Sequence, residues 1–385
     1  MMTASIEGDI RLSIMIPMSS PDITPAEIDA VNAVLRTPYL SIGPCIEEFE
    51  WLVAEYVGAR HAVAVSSGTA GLHLAVIAAG VSDGDEVITT PFSFVASANV
   101  MLYERARPVF VDIDPHSLNI DPDRIEAAIT PHTRAILPVH AFGQPADMHP
   151  ILDIARRHNL TVIEDACEAI GAEYKGRKAG TLGYAGVFAF YPNKQMTTGE
   201  GGVIVTGDDE WNHLFRSLRN QGRDVFDAWL NHSRLGYNYR LDEMSAALGV
   251  AQIDRIEELL AKRERVAGWY ATRLQDIEGV TAPFVAPTTT RVSWFVYVVR
   301  LAPGIDRDRI VSLLEARGIP SRPYFSPIHL QPFYRQRLGC APGDFPITER
   351  VAASTLALPF FGNMPEEQVA VVCDTLREVI AQAHM

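Results

Sequence analysis

The sequence predicts an α/β protein, with a doubly wound, mainly parallel sheet in a large domain and a smaller α+β domain after it. Three observations lead there. Between about residues 60 and 210, short runs rich in β-branched residues alternate with helical patterns. Most of these runs are near-continuously apolar, as strands buried on both faces of a parallel sheet are. After about residue 240 the alternation stops and stretches rich in Ala, Leu, Glu and Arg take over. A chain of 385 residues is also too long for one small core.

Residues 20–36 (SPDITPAEIDAVNAVLR) read as a capped helix that packs across the two domains. The strands follow as HAVAVSS (61–67), DEVITT (85–90), RPVFVDI (107–113), RAILPVH (134–140), LTVIEDA (160–166), GVFAFY (186–191) and GVIVTG (202–207). Gly, Pro and Asp punctuate them, and amphipathic segments 122–129 and 149–158 supply helices between. Such a sheet binds ligands at the carboxyl ends of its strands. Residues 241–276 read as one long helix with room for a break, 291–301 (RVSWFVYVVRL) as a strand, and 307–317 and 365–381 as helices. The expected division is a large domain over 1–250, its N-terminal segment packing on the small domain, and a small domain over 251–385.

The balance of 33 basic and 47 acidic residues gives a net charge of −14. That argues against a nucleic-acid or anionic-membrane surface, though a few backbone N–H groups can still hold a phosphate. Cys45, Cys167, Cys340 and Cys373 lack metal-ligand spacing, so reduced thiols and no metal site are expected. The N-terminus has no basic region followed by an unbroken apolar stretch, and no apolar run approaches the roughly 20 residues that span a bilayer. A soluble, cytoplasmic protein is the expectation.

Three strand ends hold the chemistry. In SSGTAGLHLAVIAAG (66–80), Gly68 permits close backbone approach, and a helix starting near Thr69 offers free N–H groups to an anion. On these residues alone an ordinary glycine turn with Thr69 as helix cap is the more frequent reading. In VIEDACEAIGA (162–172), Asp165 ends an apolar strand, flanked by Glu164 and Glu168. It can serve an aromatic cofactor's ring nitrogen or simply cap a helix. In VFAFYPNKQMTTGEGGVIVTG (187–207), Lys194 follows an aromatic strand and precedes a glycine-rich turn. That context suits a desolvated amine available for Schiff-base chemistry, whereas most lysines are solvated surface charges.

Taken in order, GTAGLHLA, EDACEA, YPNKQMTTGEGG and GYNYRLDEMSAALG (236–249) resemble the DegT/DnrJ/EryC1/StrS aminotransferases. YLSIGPCIEEFE (39–50), PVHAFGQPADM (138–148) and SRPYFSPIHLQPFY (321–334) extend the likeness over nearly the whole chain. The resemblance implies the fold-type-I architecture of pyridoxal-5′-phosphate enzymes, with Lys194 as Schiff-base lysine and proton shuttle and Asp165 as partner of the pyridinium. It implies Phe94 stacked on the cofactor ring, and Gly68, Thr69 and Ala70 as the phosphate cradle. Asn238 is implied to reach the phosphate from the neighbouring subunit of a homodimer with shared active sites. Glu168 adjoins the cofactor, and His329 and Tyr324 approach the sugar. Two departures stand out: Ala189 occupies a position where many members donate a serine hydroxyl to the phosphate, and Glu168 stands where many 3-aminating members carry Gln. Glu at this position is more like the 4-aminating members.

The implied reaction carries an amino group from L-glutamate to a nucleotide-diphosphate-linked keto-deoxysugar, at C4. Alternatives are a C3 keto-sugar or a cyclitol ketone and, from another class, a cofactor-binding sensor or assembly protein without turnover. Lys175, Arg177, Lys178, Arg234 and Arg240 lie near the motifs, but each reads more readily as a solvated charge.

Overall fold

A computed structural model describes residues 16–224 and 231–383; the first fifteen residues, read above for a targeting signal, lie outside them. All seven expected strands join one sheet. They are β1 (His61–Val65), β2 (Glu86–Thr89), β3 (Arg107–Phe110), β4 (Thr133–Ile136), β5 (Thr161–Asp165), β6 (Ala185–Ala189) and β7 (Gly202–Thr206). Their order is β1-β7-β6-β5-β4-β2-β3. Neighbours are parallel except β7, which runs against both β1 and β6. That reversal sets Gly202, where β7 starts, opposite both Val65 and Ala189, where β1 and β6 end. One rim of the sheet thereby collects three chain segments.

Helices α1 (Pro25–Val34) and α2 (Pro44–Val57) precede the sheet, whereas α3 (Gly68–Ala78), α4 (Ala96–Tyr103), α5 (Met148–His158) and α6 (Asp209–Arg219) follow β1, β2, β4 and β7. The period-2 geometry of a strand sends alternate side chains to opposite faces. Ala62 and Ala64 of β1 accordingly join Phe49 and Val53 of α2 in one core, while Val63 and Val65 lie under Leu72 and Val76 of α3 in another. Helix α3 can press this close because Gly71 has no side chain. A Cβ there would lie 2.7 Å from Val187 Cγ1 of β6.

Region 241–276 breaks at Asp254–Arg255 into α7 (Glu243–Ile253) and α8 (Ile256–Leu274). Ile256, Leu259 and Leu260 of α8 belong to the core that holds α2, and Val266, Ala267, Tyr270 and Leu274 to a second core. The second core surrounds an antiparallel sheet of β8 (Val280–Thr281), β9 (Tyr297–Leu301) and β10 (Thr355–Leu358). Helices α9 (Arg307–Glu315), α10 (Pro332–Leu338), α11 (Pro346–Ser354) and α12 (Glu366–Ala383) complete the chain. The capping box of α1 forms between Thr24 and Glu27, and the same carboxylate receives Gln252 Nε2 at 2.8 Å and Arg255 Nη1 at 2.7 Å. Arg255 and Lys262 also pair with Asp22, so the N-terminal segment is pinned to the root of α8.

Three expectations need correcting. Segment 122–129 forms two 3-10 turns, Pro122–Arg124 and Glu126–Ala128, instead of a helix. It is too short to nucleate well, and Pro131 favours extended backbone just beyond it. Run 291–301 is not one strand. Thr289–Arg291 pairs with Glu173–Tyr174, β9 begins only at Tyr297, and Trp294 between them sits at φ +50°. Tertiary hydrogen bonds from Ser293 N to Gly143 O (3.0 Å) and from Phe295 N to Phe142 O (3.3 Å) override the local strand pattern. The cap of α3 is Ser67, whose Oγ accepts from Ala70 N at 3.1 Å, and not Thr69.

Candidate active site

The rim where β1, β5 and β6 end opens into a cavity of about 400 Å³. Ser67, Gly68 and Thr69 reach it from the start of α3, Asp165 and Glu168 from the end of β5, and Ala189 and Lys194 from the end of β6. Phe94 comes in from the loop after β2 and is 62% exposed. The far wall is Phe295, Tyr324 and Phe325.

Lys194 is held at its backbone by a turn, Lys194 N donating to Tyr191 O at 2.9 Å. Its side chain is only 13% exposed, with Nζ 3.6 Å from Glu168 Oε1 and 3.8 Å from the centre of the Phe295 ring. Burial pushes the Glu168 carboxyl up, and the Lys194 charge and the N–H of Phe142, at 2.9 Å from Oε2, pull it back down. The amine therefore has an acid–base partner beside it and an aromatic face beneath it.

Asp165 is buried; its Oδ1 accepts from Cys167 N at 3.2 Å, and its backbone bonds to Pro138 O and His140 N. Adjacent Glu164 is structural. Its carboxylate receives Gly180 N, Leu182 N and Gly183 N at 2.8, 2.6 and 2.6 Å and faces His140 Nε2 at 2.9 Å. Two neighbouring carboxylates on one strand thus point to opposite faces, one into the fold and one to the cavity.

The start of α3 makes an anion cradle. Its first N–H groups have no helical acceptor. A Cβ on Gly68 would lie 2.6 Å from Ala189 Cβ and 2.8 Å from Cys167 Sγ, and one on Gly202 would lie 2.8 Å from Gly68 N. Only glycine fits at either place. Ala189 indeed offers no hydroxyl. The Ser67 and Ser93 hydroxyls nearby are engaged with Ala70 N and Ser97 Oγ, and the ring of Tyr191 stands half exposed at the rim.

Gly68, Thr69, Phe94, Asp165, Glu168, Lys194 and Tyr324 are brought together; three other expected residues are not. Ala70 is buried one step inside α3. Asn238 is exposed and away from this cavity, on a segment held by Ser66 N to Tyr239 O (2.8 Å) and by stacked Tyr237 and Tyr239. His329 is 0% exposed, bound through Nε2 to Glu349 at 3.1 Å and packed edge-on to Phe345. Enclosed in this way, the imidazole does not line this cavity. Lys175, Arg177 and Lys178 lie on the short 173–178 hairpin, engaged with His149, Thr181 O and Glu173. Sequence reasoning missed Phe295, because the local pattern there reads as uninterrupted strand.

These residues fit pyridoxal phosphate: an amine, a buried anion, an exposed aromatic face and a glycine-lined helix start share one cavity. The profile of the DegT/DnrJ/EryC1/StrS aminotransferase family matches residues 21–377. GDP-perosamine synthase of Caulobacter vibrioides is 44% identical over 369 residues, covering 95% of this chain and 98% of that protein. Spore coat polysaccharide biosynthesis protein SpsC of Bacillus subtilis is 38% identical over 382 residues, covering 96% and 98%. Among solved structures, the aminotransferase PseC of Helicobacter pylori superposes with a TM-score of 0.90 at 28% identity, covering 96% of this chain and 100% of that one. DesV of S. venezuelae gives 0.86 at 37% identity over 91% and 93%. The chain therefore belongs to the DegT/DnrJ/EryC1/StrS family and is a pyridoxal-phosphate-dependent aminotransferase.

Proposed function

We propose that the chain transfers an amino group from L-glutamate to C4 of a nucleotide-diphosphate-linked keto-deoxysugar, as a cytoplasmic homodimer. One observation carries the reading: Lys194, Asp165, Phe94 and the Gly68–Thr69 turn, from four separate segments, meet in one cavity. The 44% identity to GDP-perosamine synthase supports a nucleotide sugar as substrate. Glu168, a carboxylate beside the amine instead of an amide, supports C4.

Pyridoxal phosphate, when bound, supplies the electron sink that lets an amino group leave one carbon skeleton for another. Lys194 would hold it and move the proton at its own Nζ, with Glu168 3.6 Å away to steady the charge. Asp165 would keep the ring nitrogen protonated from the end of β5. Gly68 and Thr69 would take the phosphate on their N–H groups and Phe94 would cover a ring face. Tyr324 would meet the sugar from the far wall. Asn238, exposed and clear of its own cavity, is free to reach that of a second copy, which supports the homodimer. Under the same reading, residues 1–250 form the cofactor-binding unit and 251–385 a second one, each with its own core, and α8 runs through both. No helix among the described residues is long and apolar enough to cross a membrane.

The test is product analysis. The purified protein, loaded with pyridoxal phosphate, is given glutamate and a panel of GDP-, UDP- and dTDP-linked 4-keto and 3-keto sugars. Formation of a 4-amino sugar with release of 2-oxoglutarate is expected. Turnover of 3-keto sugars alone, or no change in cofactor absorbance with any amino donor, overturns it.

A further inference from the structure

Arg263 stands where the period of α8 calls for an apolar residue. The buried stripe runs Ile256, Leu259, Arg263, Val266, Tyr270, Leu274. The side chain is 3% exposed, and its guanidinium donates to four backbone carbonyls instead of a carboxylate. Two are Lys194 O (2.5 Å) and Asn193 O (3.4 Å). The others are Trp294 O and Phe295 O, each at 3.2 Å. The ring centre of Phe360 lies 5.6 Å from its Cζ. Burial lowers the guanidinium to about 10, which leaves it charged at neutral pH. The charge of Asp22 acts on it from a distance, but no carboxylate forms an ion pair with it, and such a buried cation is costly where a Leu or Met would serve the helix and the core better. Its role lies in the two segments it joins.

We propose that Arg263 is a positioning residue for Lys194: by tying the Asn193–Lys194 backbone to the Trp294–Phe295 backbone, it seats the lysine ammonium on the Phe295 ring. The proposal rests on Lys194 being the amine that takes the cofactor. The same segments are also joined by Gln195 Nε2 to Ser293 Oγ at 2.8 Å, but that bond lies one residue to the side of Lys194 and of Trp294 and does not reach either backbone carbonyl that Arg263 holds there. Trp294 adopts φ +50°, and the ring of Phe295 must end 3.8 Å from Nζ. The other titratable groups around that ammonium are Glu168, at 3.6 Å, and Cys167, with Asp165 and Tyr324 beside them. None of them fixes the distance between the amine and the ring. Arg263 does, because one rigid, planar fork reaches both backbones.

The full chain, with its cofactor removed, is labelled with trace acetic anhydride across a pH series. Mass spectrometry of the Lys194 peptide then gives its labelling rate relative to that of the exposed lysines. Phe295→Leu is compared in three backgrounds: native, Arg263→Met and Arg263→Lys. In the native background the loss of the ring is expected to raise the labelling rate of Lys194 about 5-fold, because the ring no longer favours the unreactive ammonium form. With Arg263→Met the same change is expected to raise it by less than about a third of that, because the ring is no longer seated. Any direct effect of the Arg263 charge is common to both arms and cancels. Arg263→Lys keeps the charge but cannot span four carbonyls, so it too should lose the coupling; it carries the test if Arg263→Met does not fold. An equal Phe295→Leu effect in all backgrounds, or none in the native one, overturns the proposal. A chain that shows the coupling yet binds no cofactor overturns the role of Lys194 instead and leaves the positioning standing.

Discussion

The two walls of the cavity are built in different ways. The sheet wall consists of strand ends: Asp165 closes β5, Ala189 closes β6, and Gly68 begins the helix that follows β1. Each is fixed by the ladder it terminates, and the reversed strand β7 brings their ends together at Gly202. The far wall, Phe295 with Tyr324 and Phe325, has no ladder at the cavity. Its Phe295 segment is held by hydrogen bonds with distant segments: Arg263 donates to two of its carbonyls, and Phe295 N donates to Phe142 O. Backbone ladders thus fix one wall, and side-chain and backbone bonds from distant segments fix the other.

Three substitutions can break or sharpen this contrast. The largest effect is expected from Lys194→Ala on the sheet wall. Cofactor absorbance linked to the chain should vanish and turnover fall by about 10²–10⁴-fold or more, read by spectrum and coupled assay. If the linked absorbance survives, the amine has been misassigned. Next comes Gly68→Ala, whose new Cβ would crowd Ala189 and Cys167. It should cost about 1–3 kcal/mol of stability in thermal unfolding and weaken cofactor retention on dialysis, with no comparable change in the sugar KM of the fully loaded enzyme. Smallest is Tyr324→Phe on the far wall. Burial and the Glu168 charge hold that phenol above its usual range, so it keeps its proton and can donate. Its loss should raise the sugar KM by about 2- to 10-fold and leave the cofactor spectrum alone. A Tyr324→Phe protein that loses cofactor would erase the distinction between the walls.

The same contrast explains what could be read from the sequence. The seven strands of the large sheet were legible within a few residues, because buried parallel strands are written as apolar runs and their ends as Gly, Asp and Pro. Lys194, Asp165 and Gly68 line the cavity at the strand ends where the sequence placed them, although the roles expected of them came from the family resemblance and not from the strand pattern. Phe295 was not. Its run reads as one strand, and the break at Trp294 comes from Gly143 and Phe142, far off in the chain. His329 could not be judged either, since a lone histidine does not announce that Glu349 and Phe345 enclose it. Arg263 did leave a local trace, an arginine in the middle of the buried stripe of α8, and such an interruption is worth searching for in any amphipathic helix.

Helix α8 has a mechanical consequence. Its 19 residues span about 28 Å without a break, its first turns embedded in one core and its later turns in the other. Such a strut is stiff along its own length, so any movement between the walls of the cavity has to be taken up outside α8. It also couples the two cores on heating, because melting either one strips the burial from half of the same helix.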